Sequence, residues 1–149
     1  MFTPTNKKLT IVYRLGQSRG LSPAEVIRVH RAHADNPENG GRVLFTTGRG
    51  PAVDNRDFVK HLILMAPDGH VALFADVVAV GNGNVETRPE GYDQPSQWET
   101  KDKPHWFALD NLREGAIQRG EFTAAGGKDL LDAHGGAGPF VYLDNPDVE

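Results

Sequence analysis

Cysteine is absent from this chain of 149 residues. Its absence excludes disulfides, a thiolate nucleophile and cysteine-ligated zinc. No apolar run approaches the roughly 20 residues of a membrane helix, because Asp68 and Asp76 interrupt the longest ones. Segment 1–16 also lacks the apolar stretch, about 7–15 residues long, that marks a signal peptide. We therefore expect no membrane partner and a bacterial-type cytoplasmic location.

Extremes of composition are also missing. Hydrophobic residues make up 38% of the chain and charged residues 24%, which excludes collagen-like, mucin-like and wholly disordered chains. The length suits one globular domain over 1–149. No nucleophile-elbow, phosphate-loop or cofactor fingerprint is present, so we predict no cofactor and favour a binding domain over an enzyme.

The net charge of −4 is distributed unevenly along the chain. Residues 1–60 carry ten basic and five acidic side chains (+5), and residues 61–149 carry six and fifteen (−9), which together give −4. An acidic chain is no strong polyanion binder, but one basic surface could arise from the first sixty residues. The alternative is that acidic loops and an acidic tail only keep the protein soluble.

The strongest local signal predicts a helix from Pro23 to about Ala34. Ser22 is a typical N-cap, Pro23 suits the first helical position, and Glu25 completes a capping box. Asn36 and the proline after it end the helix. Alternating apolar residues and turn residues predict the other elements: strands at 9–15, 42–47, 105–109 and 140–143, a hairpin over 58–80 that turns at 67–70, a long loop at 81–105, a short turn at 112–115 and a short helix at 126–134.

This order of elements favours an α+β fold. Strands do not alternate with helices in the manner of a parallel doubly wound sheet. The Asp-Gly pair between two apolar runs is typical of a hairpin. We expect a small curved antiparallel sheet or barrel, plugged by the first helix.

Four segments together resemble a known superfamily. These are a first strand followed by a helix (11–32), a strand after a glycine turn (39–48), the long hairpin, and a late strand with a Trp-Phe-x-Leu pattern (103–115). They are similar to PUA-like domains, which include the EVE, ASCH and YTH domains. The resemblance implies a pseudo-barrel whose pocket takes one extruded, often modified, nucleobase.

Aromatic residues in and after the long loop are candidates for stacking on a base. Tyr92, Trp98 and Trp106 lie within fifteen residues in a chain that has only two tryptophans. A reader of single bases needs such flat faces. Trp98 is the best candidate, because a partly exposed ring in a polar loop is typical of a ligand contact. Alternatively, Trp98 and Tyr92 cover one end of the core, and for Trp106 the core interpretation is favoured.

Polar residues at two turns could contact a base edge or a phosphate. Thr46, Thr47 and Arg49 end the second predicted strand, and the guanidinium offers a planar pair of donors. Ser18 and Arg19 lie just before the predicted helix, whose N-terminus favours an anion. The alternative at both places is an ordinary turn.

Asp76 is an acidic residue inside an apolar strand. A buried carboxylate requires a partner, so Asp76 either faces a pocket and accepts from a base amino group or faces solvent. His30 and His33 could clamp a metal, with Asp35 nearby, but no second histidine-rich segment follows and a solvated helix face is the better account. No metal site is predicted.

The sequence thus predicts a module that binds nucleic acid or a nucleotide-like ligand, with one modified base as a specific possibility. Basic side chains of the first sixty residues would hold phosphate, and loop aromatics would sandwich the base. One alternative is a small hydrolase or deamidase for a modified nucleoside, with Asp76 or a histidine as base. Another is a protein–protein adaptor that uses the acidic second half.

Overall fold

The computed structural model describes residues 8–16, 20–51, 53–82, 88–98, 105–133 and 140–143. Strands form a single mixed sheet, and one α-helix packs against it. The fold is therefore α+β, as predicted. The elements are β1 (Leu9–Arg14), α1 (Pro23–Asp35), β2 (Val43–Thr47), β3 (Val59–Met65), β4 (Ala72–Asn82), β5 (His105–Gly115) and β6 (Phe140–Tyr142), with 3-10 turns at Val53–Phe58, Ser96–Trp98 and Leu130–Asp132.

The six strands lie in the order β2-β5-β4-β3-β1-β6. All neighbours are antiparallel except β1 and β3, which are parallel. A parallel pair needs a crossover connection, and α1 and β2 lie in the chain between these two strands. The sheet does not close within the described residues, because β2 and β6 lie at opposite edges. The predicted barrel closure is therefore wrong, whereas the small sheet with one helix is confirmed.

Helix α1 begins with the predicted capping box. Ser22 Oγ accepts from the backbone N–H of Glu25, and the Glu25 carboxylate accepts in return from the N–H of Ser22. The helix ends at the predicted Asn36 cap. Its buried side includes Val26 and Ile27, which fixes α1 against one face of the sheet.

The sheet has two unlike faces. On the helix face, apolar side chains such as Ile11, Leu62 and Phe107 pack with α1 in the main core. We call the opposite side the distal face. There, Val12 and Ile63 pack in a second, smaller cluster with Ile117, Ala124, Leu130 and Leu143.

Two predicted boundaries differ from the structure. Strand β5 continues to Gly115 where a turn was expected after 109, because its second half pairs with the start of β4. The helix expected over 126–134 is a single turn at Leu130–Asp132, and position 134 lies outside the described residues. The hairpin is confirmed, with Gly69 at φ +77° in its turn. Among the described residues, no helix is long and apolar enough to cross a membrane.

Candidate functional site

Four polar residues form a row across the distal face. Thr10 lies opposite His61 in the β1–β3 pair, His61 lies opposite Asp76 in the β3–β4 pair, and Asp76 lies opposite Asp110 in the β4–β5 pair. Because side chains of a strand alternate between the two faces, all four project on the same side as Ile63. The register thus collects a hydroxyl, an imidazole and two carboxylates from four adjacent strands.

Asp76 is the best-connected member of this row. Its Oδ1 lies 3.2 Å from Nδ1 of His61, and its Oδ2 accepts from the side-chain amide of Asn111 at 2.9 Å. A guanidinium nitrogen of Arg113 lies 3.8 Å from Oδ1. A carboxylate only accepts hydrogen bonds, so Nδ1 of His61 carries a proton in this contact, and in the neutral imidazole Nε2 then has the free lone pair. The side chain of Asp76 is 37% exposed and contacts His61, and its acceptance from a base amino group stays a prediction.

Asn111 is held in an unusual backbone conformation beside this contact. Its φ is +53°, and it is the only residue other than glycine with positive φ in the described part of the chain. The β4–β5 register shifts between Phe74 and Asp76, opposite this position. A bulge of this kind redirects side chains and is often found near functional sites. Here it coincides with the amide bond to Asp76.

A cavity of about 160 Å³ opens beside the row. Its wall contains Thr10 and His61 of the row and the phenylalanines Phe74 and Phe122. The other lining residues are Leu62, Ile63, Ala75, Arg113 and Glu121. Thr10 is fully buried, and its hydroxyl has no hydrogen-bond partner among the described residues. An unsatisfied buried hydroxyl costs about 1–3 kcal/mol, which a ligand in the cavity could recover.

Carboxyl groups outnumber guanidinium groups in the row and the cavity wall taken together. Burial and the nearby charge of Asp76 raise the pKa of Asp110 above its ordinary value. Glu121 lines the cavity and also accepts from the backbone N–H of Gln118. Against these three carboxyl groups stands the single guanidinium of Arg113 in the wall. The local field therefore favours a neutral or weakly charged ligand over a polyanion.

Thr46 and Trp106 lie elsewhere on the distal face, opposite each other in the β2–β5 pair. Both are buried, and neither Thr46 Oγ1 nor Trp106 Nε1 has a partner among the described residues. The Trp106 ring lies against Gly81, where a Cβ would approach it to 2.3 Å. This placement agrees with the core interpretation of Trp106.

Tyr92 packs against a third apolar cluster, which consists of Leu44, Trp106 and Ala108. The guanidinium of Arg42 lies 5.9 Å from the centre of its ring, within cation–π range. Partial burial and the charge of Asp110 raise the pKa of the Tyr92 hydroxyl. Tyr92 therefore approaches the row from its Asp110 end and not from the cavity.

Trp98 lies on the other side of the sheet. It is only 4% exposed, and its ring centroid lies 4.8 Å from that of His30. The expectation of a partly exposed stacking ring at Trp98 is wrong, because the loop folds back over α1 and buries it. The solvated face expected for His30 is wrong as well: the imidazole is 1% exposed and its Nδ1 bonds the carbonyl of Val26 at 2.8 Å.

The remaining predicted contacts do not join the cavity. Arg49 is exposed, and its backbone carbonyl accepts from the hydroxyl of Tyr13 at 2.7 Å. In the same turn, Thr47 Oγ1 accepts a hydrogen bond from the backbone N–H of Arg49. Ser18 and Arg19 lie outside the described residues. Of the predicted site residues, only Asp76 therefore belongs to the row.

Sequence reasoning missed Thr10, His61, Asn111 and Arg113. Thr10 and His61 reach the distal face because they occupy alternate positions of strands that read as apolar. Each of these two strands has one polar residue at a position where the alternation predicts an apolar one, and this pattern could have indicated the site. Within the described ranges, no group of three or more histidine or acidic side chains is placed to hold a metal ion.

Comparisons with protein-family models, curated proteins and solved structures give no match for this chain.

Proposed function

We propose that the distal cavity binds one single-ring, nucleobase-like group of a nucleoside or nucleotide. The observation that carries the proposal is the Thr10 hydroxyl, which is fully buried, lines the cavity and lacks a hydrogen-bond partner. Buried polar groups are nearly always satisfied in native proteins. A ligand that hydrogen-bonds to Thr10 accounts for a threonine where valine would otherwise be the better strand residue.

The size of the cavity supports a single ring. An engineered apolar cavity of about 150 Å³ in another protein accepts benzene, and the distal cavity measures about 160 Å³. A pyrimidine therefore fits, whereas a two-ring purine needs more space. The rings of Phe74 and Phe122 in the wall offer flat apolar contact, and stacking of a base on an aromatic ring contributes about 1–3 kcal/mol.

The polar groups of the wall support a base over a plain hydrocarbon. Thr10 can donate or accept, His61 offers the lone pair of Nε2, and the Arg113 guanidinium can donate to a carbonyl oxygen. Asp76 does not line the cavity and acts through His61. The wall thus presents both donors and acceptors, as the edge of a pyrimidine does.

The charges favour a small ligand over a long strand. Three carboxyl groups surround the row and the cavity, and the basic side chains Arg28 and Arg31 belong to α1 on the opposite side of the sheet. Arg31 is also paired with Asp35 and Glu114. Strand binding depends on several phosphate contacts, so a free nucleoside or a single extruded base suits this site better.

Membership of the PUA-like superfamily is part of the same proposal. The helix after the first strand and the long central hairpin support it, and the open edges of the sheet count against a closed form. The module would then be a base-binding member of that superfamily. The adaptor hypothesis, in which the acidic second half binds a protein, stays a prediction.

Titration calorimetry with cytidine, uridine and adenosine tests the proposal. We expect saturable binding of at least one pyrimidine nucleoside and weaker binding of adenosine. Thr10→Val keeps the shape and removes the hydroxyl, and should weaken binding about threefold to tenfold, as loss of one hydrogen bond does. Thr46→Val is the matched control, because Thr46 is also buried and unpartnered but lies outside the cavity wall. Absence of binding by every nucleoside, or equal loss in both variants, contradicts the proposal.

A further inference from the structure

We propose that Thr10, His61 and Asp76 form a nucleophilic triad that hydrolyses an acyl ester on the ligand bound in the distal cavity. This inference rests on the proposed function, since the same cavity must hold the ligand. It adds a reaction to a binding site. The evidence is the side-by-side placement of a hydroxyl, an imidazole and a carboxylate on three adjacent strands.

The order of the three groups is the one that nucleophilic catalysis requires. Asp76 accepts from Nδ1 of His61 at 3.2 Å, which fixes the ring and leaves Nε2 as the proton acceptor. Thr10 is the cross-strand neighbour of His61, and both line the cavity. In the strand order, His61 therefore lies between Asp76 and Thr10. Thr10 Oγ1 is buried, and no hydrogen bond joins it to His61 in the described structure. The reaction therefore requires a local movement on substrate binding that exposes the hydroxyl to the cavity and brings it to Nε2, as catalytic hydrogen bonds often form only in the substrate complex.

A purely structural role explains these residues less well. Half-exposed ion pairs on a protein surface contribute little to stability, and His61 and Asp76 retain side-chain exposures of 28% and 37%. A fully buried threonine with an unpartnered hydroxyl is destabilising. The unusual backbone of Asn111 adds a further cost and serves to hold Asp76. Several destabilising features that occur together at one cavity are typical of a functional site.

The first half-reaction acylates Thr10. His61 Nε2 takes the proton of the Thr10 hydroxyl while Oγ1 forms a bond to the ester carbonyl carbon. The carbonyl π electrons move to oxygen, and the Arg113 guanidinium in the wall stabilises that charge. When the carbonyl re-forms, the bond from carbon to the alcohol oxygen breaks, and His61 returns its proton to that oxygen. The alcohol leaves, and the acyl group remains on Thr10.

The second half-reaction uses one water molecule. His61 takes a proton from water, and the hydroxide oxygen bonds to the acyl carbon. The bond between that carbon and Thr10 Oγ1 breaks, and His61 gives the proton to Oγ1. The sum is ester plus water giving acid plus alcohol, with no oxidant or reductant. Asp76 is a positioning residue throughout, since it contacts His61 and not the ester.

Hydrolysis of p-nitrophenyl acetate by the full chain tests this inference, because the probe carries one aromatic ring and one acyl ester. We expect saturation with substrate and a burst of nitrophenolate. Thr10→Val and His61→Gln should each lower kcat/KM at least about 100-fold, Thr10→Ser should retain activity, and Thr46→Val should match the parent protein. Mass spectrometry of the acid-quenched reaction should find acetyl on Thr10.

Asp76→Asn tests the positioning role. The variant should have a much lower kcat and a nearly unchanged KM. The pH profile of kcat should also change, because the neutral amide no longer fixes the proton on Nδ1 of His61. Activity that survives Thr10→Val but not His61→Gln is simple imidazole catalysis and overturns the triad, as does acetyl on any other residue alone. The binding titration is independent of turnover. Nucleoside binding without ester hydrolysis therefore contradicts only this inference, and absence of nucleoside binding contradicts the proposed function.

Discussion

The indole ring of Trp98 lies against the imidazole of His30, with 4.8 Å between the ring centroids and an angle of 45° between the planes. The same imidazole lies 5.7 Å from the ring of Phe45 in β2. A tryptophan from a polar loop and a histidine from an amphipathic helix thus complete the core on the helix face. Two residues that resemble ligand contacts in the sequence are part of the packing.

Replacing Trp98 should therefore affect stability. We expect Trp98→Ala to lower the free energy of unfolding by about 3–5 kcal/mol, as removal of a large buried aromatic side chain does. Chemical denaturation measures the change. Gln97→Ala, in the same 3-10 turn but exposed, is the control and should have little effect. A Trp98→Ala protein as stable as the control would show that the ring is not part of the core.

His30 should make stability depend on pH. Burial is the main reason that the pKa of His30 is lowered to about 4, whereas an unfolded histidine has a pKa of about 6.5. Between these values the unfolded chain binds a proton that the folded protein excludes. Stability therefore decreases as pH falls from about 6.5 to about 4, by about 3 kcal/mol from this group.

His30→Leu should remove that part of the pH dependence. Unfolding of both proteins by urea between pH 4 and pH 7 measures the difference, so that all other titrating groups cancel. The difference in unfolding free energy should change with pH in the direction that favours the leucine variant at low pH. If the unfolding free energies of the two proteins changed with pH in the same way, the lowered pKa of His30 would be contradicted.

Gly81 should not tolerate a side chain. A Cβ at this position would lie 2.3 Å from the ring of Trp106, so Gly81→Ala forces a buried indole to move and should cost about 1–3 kcal/mol. Gly16→Ala is the matched control, because a Cβ there has no neighbour within 4 Å. Thermal or chemical unfolding separates the two. Equal stability of both variants would mean that the ring can shift freely.

Two substitutions at Asn111 separate its hydrogen bond to Asp76 from its backbone conformation. Asn111→Gly and Asn111→Ala both remove the amide that donates to Asp76, but only glycine accepts φ +53° without strain. We expect Asn111→Ala to be less stable than Asn111→Gly by about 1–2 kcal/mol. Denaturant unfolding gives this difference directly, and a more stable alanine variant is incompatible with the positive φ.

Local chemistry made part of the fold predictable. The capping box at Ser22 and Glu25 specifies the start of α1 from four consecutive residues, and the Asp-Gly turn specifies the hairpin. These features depend on neighbours in sequence. The alternation of apolar residues in β1 and β3 likewise needs no knowledge of the partner strand.

The rest depends on contacts between distant segments. The end of β5 pairs with the start of β4, so residues 112–115, which the sequence predicts as a turn, form a strand through tertiary pairing. His30 is polar, and its surroundings are apolar only because Trp98 and Phe45 pack against it in the folded protein. The row from Thr10 to Asp76 requires the parallel β1–β3 register. Of its members, Asp76 alone was identified, because a charge inside an apolar run is visible in the sequence.

Methyl NMR during titration with a pyrimidine nucleoside tests the central claim most directly, namely that Thr10 contacts a ligand in the distal cavity. The methyl resonances of Thr10 and Thr46 serve as probes of two buried threonines on the same face of the sheet, inside and outside the cavity wall. We predict that cytidine or uridine shifts the Thr10 and Ile63 methyl signals in a saturable manner and leaves Thr46 unchanged. Shifts confined to Thr46 and its neighbours, or no saturable shift at Thr10 with either nucleoside, would contradict the account.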